Sequence, residues 1–398
     1  MNRLFITCAL AAAAFLPANA QLNGDGYYRI KNAVTGRYMT LCDNHSRGVN
    51  VSATEAETGA LETRKNFDKV KSDPGSVFYI KSMGNKEYNI LAQGADMYSM
   101  IQYYVKIIDS PYKKGAYRAY QTSSGYALYL SDKYTKRDDS FVVTTGDKEN
   151  EKDWEIIPVS SETDNFIGIT PNVEIGGKYY APFYTGFDYK LSSSDMKAYY
   201  VSKVDESKGF AAYKEITGTI PAKTPVYIEC ASANAADNKI EPLAGNVKGL
   251  SGNKLTGVMF SVGNKYTNHY NSVVFDASTM RTLNAEDGKL VLNTSNDLLS
   301  NIEICLKPGS NKNSDYKYDY VIPHNTFYLK VSAGAAQSLK LVDEAEFEAT
   351  GVNGITVNDN QPANIYNLSG VLVRSNATSV EGLAKGVYLF KGKKVVVD

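Results

Sequence analysis

The sequence has 398 residues, of which 43% are hydrophobic and 22% charged, with 43 Lys and Arg against 43 Asp and Glu. A chain of this length is expected to form about two or three domains rather than one. Its formal net charge of +0 provides no broad electrostatic attraction, which argues against nucleic acid and acidic membranes as partners.

The first residues have the pattern of an export signal. Arg3 is followed by an apolar run over residues 4–16 and by a small-x-small site at residues 18–20. The run is shorter than the about 20 apolar residues that a membrane-spanning helix needs. We therefore expect residues 1–20 to be a signal peptide that is cleaved before Gln21, leaving an exported and soluble protein.

Tyrosine is abundant, with 30 Tyr against 14 Phe and one Trp. Tyrosine favours half-buried strands and surfaces that stay wet along one edge. From Tyr27 onward, short alternating runs separated by Gly, Asn, Asp and Ser predominate, which is the pattern of strands and turns. Residues 97–108 and 344–348 have a helical pattern instead. The sequence therefore predicts an all-β protein with little helix.

Three segments near the N-terminus share the order strand, Gly-containing turn, strand, which predicts three hairpins. A strand at residues 153–159 follows them and carries the only Trp, Trp154. The hairpin segments are residues 27–41, 77–91 and 117–132, with turns at 35–36, 84–85 and 124–125.

Hairpin repeats of the form Y-x-I-x-N-x-x-[ST]-G-x-Y-[LM], followed by a W-E-I strand, resemble a ricin-type β-trefoil. The resemblance implies a β-trefoil domain over residues 21–160. The first repeat matches through Tyr28, Ile30, Asn32, Gly36, Tyr38 and Met39.

The resemblance also implies where a sugar site would lie. Members of that family that bind sugar carry an acidic residue shortly after the G-x-x-[LM] step and a Gln two residues before the Trp. This sequence has Thr40 and Lys152 at those positions. The nearby polar residues that could form a displaced ligand site are Asp43, Asn44 and His45.

A run of tyrosines is the second candidate contact surface. Its members are interleaved with Lys106, Lys113, Lys114 and Arg118. Aromatic rings could stack on sugar rings while Lys and Arg donate hydrogen bonds to hydroxyls, or the tyrosines could fill the trefoil interior. The run is Tyr98, Tyr103, Tyr104, Tyr112, Tyr117, Tyr120, Tyr126, Tyr129 and Tyr134. Its candidate ligand contacts are Tyr120 and Tyr126.

A polar link at residues 160–164 precedes a second β-rich region, expected at residues 165–345. Within it, residues 217–230 and 320–331 are similar, since each has Ile-Pro, a polar turn and an alternating strand. The Asp-Gly pair at 287–288 predicts a two-residue hairpin. The region resembles sandwich-like β modules of secreted proteins from host-associated Gram-negative bacteria, a resemblance that implies no activity. A structural spacer or adhesion module is the simplest interpretation.

The C-terminal segment, residues 351–398, predicts a small β domain. Turns are expected at 369–370 and 392–393, and the chain ends on alternating β-branched residues. Its N-x-x-G, K-G-x-Y and G-K-K-V-V sequences resemble the sorting domain of the type IX secretion system, which implies transport by that machinery. A last hairpin of the preceding region is the alternative. The matching residues are Asn367, Gly370, Lys385, Gly386, Tyr388, Gly392, Lys393, Lys394, Val395 and Val396.

The cysteines and histidines predict neither a disulfide framework nor a metal site. Cleavage would leave Cys42, Cys230 and Cys305, an odd number, and we expect buried free thiols, with a Cys230–Cys305 bridge as the alternative. The three histidines have no zinc spacing. They are His45, His269 and His324.

No sequence motif indicates catalysis. We find no phosphate-binding loop, dinucleotide fingerprint, nucleophile elbow or calcium loop. The sequence therefore predicts no catalytic residue, metal or cofactor. A glycan hydrolase with two distant carboxylates is the remaining enzymatic alternative.

Taken together, these patterns predict a non-catalytic binding protein, secreted or at the surface of a Gram-negative bacterium. Its partners would be an extracellular glycan or glycoprotein and the type IX machinery, and it would be peripheral to the outer membrane at most. The alternative is a structural or adhesion protein that binds no sugar. The residues that would act as sorting signal are Gly386, Tyr388, Gly392, Lys393 and Lys394.

Overall fold

A computed structural model describes most of the chain from Leu22 onward. Strands make up nearly all of the regular structure of the described residues, so the predicted all-β class is confirmed. The described residues are 22–34, 36–41, 61–64, 67–93, 102–121, 127–130, 140–146, 152–245, 247–259, 273–305, 313–352, 362–391 and 393–397.

The first ten strands form one sheet that closes on itself, here called the barrel. They are β1 (Gly26–Asn32), β2 (Tyr38–Leu41), β3 (Leu61–Arg64), β4 (Phe78–Gly84), β5 (Glu87–Ala92), β6 (Gln102–Asp109), β7 (Tyr117–Gln121), β8 (Ala127–Leu130), β9 (Ser140–Gly146) and β10 (Trp154–Pro158). Strand β1 pairs with both β4 and β10, and β10 also pairs with β7. The ring β1-β4-β5-β6-β7-β10 is therefore closed, while β2, β3, β9 and β8 form a second path of paired strands from β1 to β7.

The barrel core forms because alternate residues of the ring strands point inward. Ile30 lies opposite Ile156, and Asn32 lies opposite Trp154, in the pairing of β1 with β10. Trp154 is 2% exposed and also pairs with Tyr117 of β7. Burying side chains of this size contributes about 1.5–3 kcal/mol each, so the β10 strand both closes the ring and fills its centre.

The structure describes the turn of the second predicted hairpin and, because Thr35 lies outside the described residues, only Gly36 of the predicted turn of the first. Strands β1 and β2 meet at a single pair, with Gly36 at φ 71° between them. Strands β4 and β5 turn at Asn85 and Lys86, one residue later than predicted, with φ values of 53° and 62°. The turn of the third hairpin, between β7 and β8, lies outside the described residues.

The helix predicted at residues 97–108 is wrong in the part that the structure describes. Residues from Gln102 onward form β6, which pairs with β5 on one side and β7 on the other. Val105 and Ile107 are buried in the barrel. The β-branched and aromatic residues of β6 suit a strand with neighbours on both sides. Pairing with those neighbours therefore determines the structure of this segment, although its apolar residues also have helical spacing.

The barrel continues into a second β-rich body, here called the module. Its strands are β11 (Ile167–Gly168), β12 (Val173–Ile175), β13 (Lys178–Phe183), β14 (Asp188–Leu191), β15 (Lys197–Asp205), β16 (Phe210–Ile216), β17 (Thr219–Ile220), β18 (Val226–Cys230), β19 (Lys239–Leu243), β20 (Leu255–Val258), β21 (Met280–Glu286), β22 (Lys289–Asn293), β23 (Ser300–Cys305), β24 (Tyr316–Val321), β25 (Thr326–Lys330) and β26 (Ser338–Asp343). Ten of them form a sheet in the order β12-β13-β18-β15-β16-β26-β22-β21-β25-β20. The order β11-β19-β14-β17 forms a smaller sheet, and β23 pairs with β24.

Both faces of the large sheet are covered, which agrees with the sandwich-like expectation. Ala198 and Ile228 belong to one hydrophobic core, together with residues of the smaller sheet. Their neighbours Tyr199 and Tyr227 point the other way and belong to a second core. Burial on both faces explains why the middle strands of this sheet are mostly apolar.

The predicted Asp-Gly hairpin is confirmed. Glu286 of β21 pairs with Lys289 of β22. The two residues between them, Asp287 and Gly288, have φ values of 50° and 69°. Positive φ at both positions matches the right-handed twist of the flanking strands, which is why Asp-Gly is favoured here.

The barrel and the module share buried contacts, so the polar residues 160–164 are not a free spacer. Val77 and Val159 of the barrel side pack in the same core as module residues. Arg29, which is 0% exposed, donates from Nη1 to Phe166 O at 2.7 Å and to Asn165 Oδ1 at 3.1 Å. Burial lowers the pKa of Arg29 to about 10, against an opposite effect of Asp73, so it stays charged at neutral pH.

Helix is limited, among the described residues, to the turn α1 (Phe67–Val70), 3-10 turns, and α2 (Glu344–Val352). Helix α2 contains the predicted residues 344–348, so that prediction is confirmed. Asp343 lies directly before it, and its Oδ1 accepts from Glu346 N at 2.7 Å. This carboxylate satisfies a backbone N–H that the first turn of a helix otherwise leaves unpaired.

A four-stranded sheet, here called the tail sheet, follows α2. Its strands are β27 (Ala363–Asn367), β28 (Leu372–Ala377), β29 (Gly386–Phe390) and β30 (Lys393–Val397), in the order β28-β27-β29-β30. The sheet has its own small core, which includes Ile365 and Tyr388. Phe390 pairs with Lys393, so the last turn begins one residue earlier than predicted.

Cys230 is a buried free thiol, as predicted. The alternative of a bridge to Cys305 is therefore wrong. Burial raises the pKa of Cys230 to about 12, which keeps the thiol protonated and unreactive at neutral pH. Cys42 lies outside the described residues.

Candidate functional site

The structure describes one of the predicted ligand-contact residues. Tyr120 lies in β7, is half-buried, and pairs across the sheet with the exposed Lys106. The remaining candidates lie outside the described residues; they are Asp43, Asn44, His45 and Tyr126.

The two positions at which the sequence departs from sugar-binding trefoils point inward. Thr40 is 0% exposed, and its hydroxyl donates to the carboxylate of Asp73. Lys152 is 6% exposed. Neither side chain can reach a ligand at the surface, so a sugar site of this protein has to use other residues.

The tyrosine run divides between the interior and the surface. Tyr117 packs against the barrel core, and its hydroxyl accepts from Leu22 N at 3.0 Å. Tyr112 is 74% exposed in the loop between β6 and β7. Both interpretations of the run therefore apply, each to different members, and among the members whose side chains the structure describes Tyr112 is the exposed one.

A cation packs against one face of the Tyr112 ring and holds it in place. The guanidinium carbon of Arg118 lies 4.5 Å from the centroid of the Tyr112 ring. Arg118 is itself 5% exposed, and its Nε donates to Asp153 Oδ1 at 2.8 Å. A cation over an aromatic face contributes about 0.5–2 kcal/mol. One face of the ring is therefore occupied by Arg118, and the other is free to meet solvent.

The loop that carries Tyr112 is fixed to the same carboxylate. Ser110 Oγ donates to Asp153 Oδ1 at 2.7 Å and accepts from the backbone N–H groups of Tyr112 and Lys113, each at 3.1 Å. Gly115, at φ 80°, lets the chain turn back into β7. The position of the exposed ring is thus set by Asp153, the residue that precedes the buried Trp154.

Charged side chains are linked to the loop that carries the ring. Lys113 Nζ donates to Ala33 O at 2.6 Å and lies 3.2 Å from Glu155 Oε1. Lys31 Nζ lies 3.4 Å from the other oxygen, Glu155 Oε2. We define the Tyr112 surface as Lys31, Tyr112, Lys113, Arg118 and Glu155. It presents an aromatic face, ammonium donors and a carboxylate acceptor, which suits a ligand with both C–H and hydroxyl groups.

Sequence reasoning named part of this surface and missed the rest. Tyr112, Lys113 and Arg118 belong to the predicted tyrosine run, whereas Lys31 and Glu155 were not considered. The strand that contains Trp154 carries a signal for Glu155. Neighbouring residues of a strand point to opposite faces, so the residue next to a buried Trp points to the outside of the barrel.

A second group of tyrosines lies on the module, and its ring faces are already used. Tyr199 and Tyr227 stack with centroids 5.0 Å apart, and Tyr213 meets both edge-on. The Tyr199 hydroxyl donates to Glu229 at 3.4 Å, and burial, with Glu229 adding to it, raises the pKa of Tyr199. These rings stabilise the sheet and offer no free face to a ligand.

The described residues form neither a metal site nor a membrane-spanning helix. In that part of the chain, no three His, Cys, Asp or Glu side chains come together as they would to hold a metal ion. None of the helices described there has the length and apolarity to cross a membrane.

No protein-family model matches the sequence, and no curated protein matches it. Solved structures similar to the chain include ricin B-like β-trefoil lectins and related trefoils, which match about a third of its length. A lectin from Macrolepiota procera, solved with lactose, is 13% identical over 35% of this chain and 99% of its own, with a TM-score of 0.23. A Polyporus squamosus lectin, solved with a human-type influenza-binding epitope, is 13% identical over 34% of this chain and 50% of its own, at 0.23. The designed three-fold symmetric ThreeFoil is 13% identical over 33% of this chain and 99% of its own, at 0.24.

Proposed function

We propose that this protein is a non-catalytic binding protein that recognises an extracellular glycan or glycoprotein through the Tyr112 surface. The observation that carries the proposal is the exposed Tyr112 ring, which Arg118 holds with one face toward solvent. A fixed ring loses little conformational entropy when a ligand stacks on it. Sugar rings present C–H groups on one face and hydroxyls at the edge, which match the ring and the charged groups beside it.

The charge at the Tyr112 surface favours a neutral ligand. Lys31 and Lys113 are both paired with Glu155, and Arg118 is paired with Asp153. Because the positive groups are largely compensated, a polyanion would gain little there. Hydroxyl groups can accept from the ammonium groups and donate to the carboxylate without disturbing either pair.

We extend the proposal to the location of the protein and to the role of each segment of the chain. Residues 1–20 would direct export, residues 21–160 would bind the ligand, residues 165–345 would support them, and residues 351–398 would be the type IX sorting signal. Support for the last assignment is that Lys393 and Lys394 are exposed on β30, an edge strand of the tail sheet, where transport machinery could reach them.

The proposal is tested by a glycan array on the whole mature chain, from Gln21 to Asp398. The whole chain is needed because Val77 and Val159 pack into the core of the module. We expect Tyr112→Ala to lower binding about tenfold, since a lost aromatic contact costs about 1.5 kcal/mol.

The matched control is Tyr318→Ala, because Tyr318 is 71% exposed in β24 on the module. Glycan binding should be unchanged in that variant. The Asp43→Ala, His45→Ala double variant tests the first hairpin instead. If it abolishes binding while Tyr112→Ala does not, the glycan site lies in that hairpin and the assignment to Tyr112 is wrong.

A structural or adhesion role without sugar binding is the second candidate. The observation that favours it is the burial of Thr40 and Lys152 at the two positions where a trefoil lectin would have its ligand contacts. Wild-type protein that binds no glycan on the array, and that still adheres to host surfaces or matrix proteins, would establish this role.

A further inference from the structure

A cleft opens where the barrel meets the module, and it shares no residue with the Tyr112 surface. Three distant parts of the sequence form it. Ser72 comes from the barrel, Thr170 from the chain between β11 and β12, and His324 from the turn before β25. We call it the junction cleft. It encloses about 160 Å³.

Hydrogen-bonding groups form part of the cleft lining. The hydroxyls of Ser72 and Thr170 lie 2.7 Å apart, bonded across the boundary between barrel and module. His324 Nε2 lies 3.7 Å from Asp73 Oδ1. Asn172 and Thr326 also line the cleft. Hydroxyl, amide and imidazole groups both donate and accept hydrogen bonds, so a ligand that also does both is favoured.

Apolar residues form the rest of the lining. Phe183 and Ala181 of β13 are buried there, and Pro74 and Pro182 contribute ring carbons. Among the described residues that line the cleft there is no Lys, Arg, Asp or Glu. Apart from His324, a charged ligand would therefore find no ionisable side chain in direct contact, whereas a neutral ring with C–H and hydroxyl groups would meet both apolar and hydrogen-bonding groups.

The cleft is built before any ligand arrives. Tyr184 N donates to Asn325 O, and Asn325 Nδ2 donates back to Tyr184 O, each at 2.9 Å. On the other wall, Gly168 N donates to Lys71 O at 2.8 Å. These bonds hold the His324 turn and the Thr170 segment in position. A pre-formed site avoids the cost of ordering its own groups when it binds.

We propose that the junction cleft binds one neutral sugar ring, either a free monosaccharide or the end residue of a glycan. Its volume of about 160 Å³ is below the about 300–1,000 Å³ of pockets that enclose drug-sized ligands, so a single ring fits and an extended ligand does not. Clefts between packed units are frequent ligand sites. This inference does not depend on the Tyr112 surface, and the two sites can be tested apart.

The test is isothermal titration calorimetry of the whole mature chain with the methyl glycosides of glucose, galactose, mannose, fucose and N-acetylglucosamine. We expect saturable binding of at least one of them, with a Kd of about 1 mM. Thr170→Val removes one hydroxyl at an exposed position and should weaken that binding about tenfold. The corresponding disaccharides, titrated in the same way, distinguish a free ring from a chain end.

Two controls keep the result specific. Thr217→Val removes a hydroxyl at another exposed position of the module and should leave the affinity unchanged. Tyr112→Ala should also leave it unchanged. The proposal is overturned if none of the methyl glycosides binds saturably, or if Thr170→Val binds as tightly as the wild type. It is equally overturned if Tyr112→Ala, and not Thr170→Val, removes the binding.

Discussion

Gln93 shows how a single side chain can hold two parts of the molecule together. It follows β5 in the barrel and is 1% exposed. Its side-chain oxygen accepts from Thr185 Oγ1 and Gly186 N, each at 3.2 Å, and from Asn325 Nδ2 at 2.9 Å. One barrel atom thus serves donors from two separate segments of the module, and its loss would leave the Thr185 hydroxyl and the Gly186 N–H buried without this acceptor, while Asn325 Nδ2 would keep its bond to Tyr184 O.

Replacing Gln93 by Ala is expected to lower the free energy of unfolding by about 3 kcal/mol. The reason is that a buried donor without an acceptor costs about 1–3 kcal/mol. Urea unfolding followed by far-UV circular dichroism measures the change. Gln337→Ala is the control, because Gln337 is exposed and such a change usually stays within about 0.5 kcal/mol. Equal losses in the two variants would contradict the role given to Gln93.

At the scale of elements, the two similar Ile-Pro segments of the module form equivalent turns. Lys223 and Asn325 follow Ile-Pro at the same distance, and both have positive φ, 58° and 55°. The turns lie on either side of the chain that leaves β13: Lys223 N donates to Thr185 O at 2.8 Å, and Tyr184 N donates to Asn325 O at 2.9 Å. The repeat in the sequence is therefore also a repeat in space.

This equivalence predicts a stabilising substitution. Lys223 is exposed and adopts a left-handed conformation that Asn tolerates better than Lys. Lys223→Asn is expected to raise the free energy of unfolding by about 0.5 kcal/mol, measured by urea unfolding. Lys330→Asn is the control, because Lys330 is exposed within β25, where Asn is disfavoured, and that change should be slightly destabilising. A loss of stability in Lys223→Asn would show that the Lys side chain has a role there.

Elements were predictable where local chemistry decides them. The Asp287-Gly288 hairpin and helix α2 follow from residues that are close in sequence. Strand β6 was not predictable in this way, because its identity depends on pairing with β5 and β7. The two sites differ in the same way in how far the sequence predicts them. Tyr112 and Arg118 are close in sequence, whereas the junction cleft joins Ser72 to His324 and becomes visible only after folding.

At the scale of the whole molecule, the barrel and the module form one packed unit. Val77 and Val159 place barrel side chains in the module core, and Arg29 crosses the boundary with charge-assisted hydrogen bonds. Such contacts link the stability of one part to that of the other. The Tyr112 surface and the junction cleft therefore keep a fixed position relative to each other, which they would not do in two domains joined by a flexible linker.

The packing predicts that barrel and module unfold together. Trp154, the only Trp, is buried in the barrel and reports on it by fluorescence, while far-UV circular dichroism reports on both parts. The two urea transitions of the wild type should coincide, because opening the barrel exposes the module core. In Arg29→Ala the fluorescence transition should move to lower urea than the dichroism transition. A wild type whose Trp154 signal changes first would show that the barrel is independent.

The closed ring of the barrel has a consequence for how the protein is made. Asn32 at one end of the barrel sequence pairs with Trp154 at the other. A ribosome adds about 5–20 residues per second, so β1 waits on the order of ten seconds for its partner β10. During that interval Tyr28 and Ile30, both buried in the finished barrel, stay open to water and to other chains. The ring can therefore close only after the segment carrying Trp154 has emerged, and until then part of the apolar barrel core stays exposed on the newly made chain.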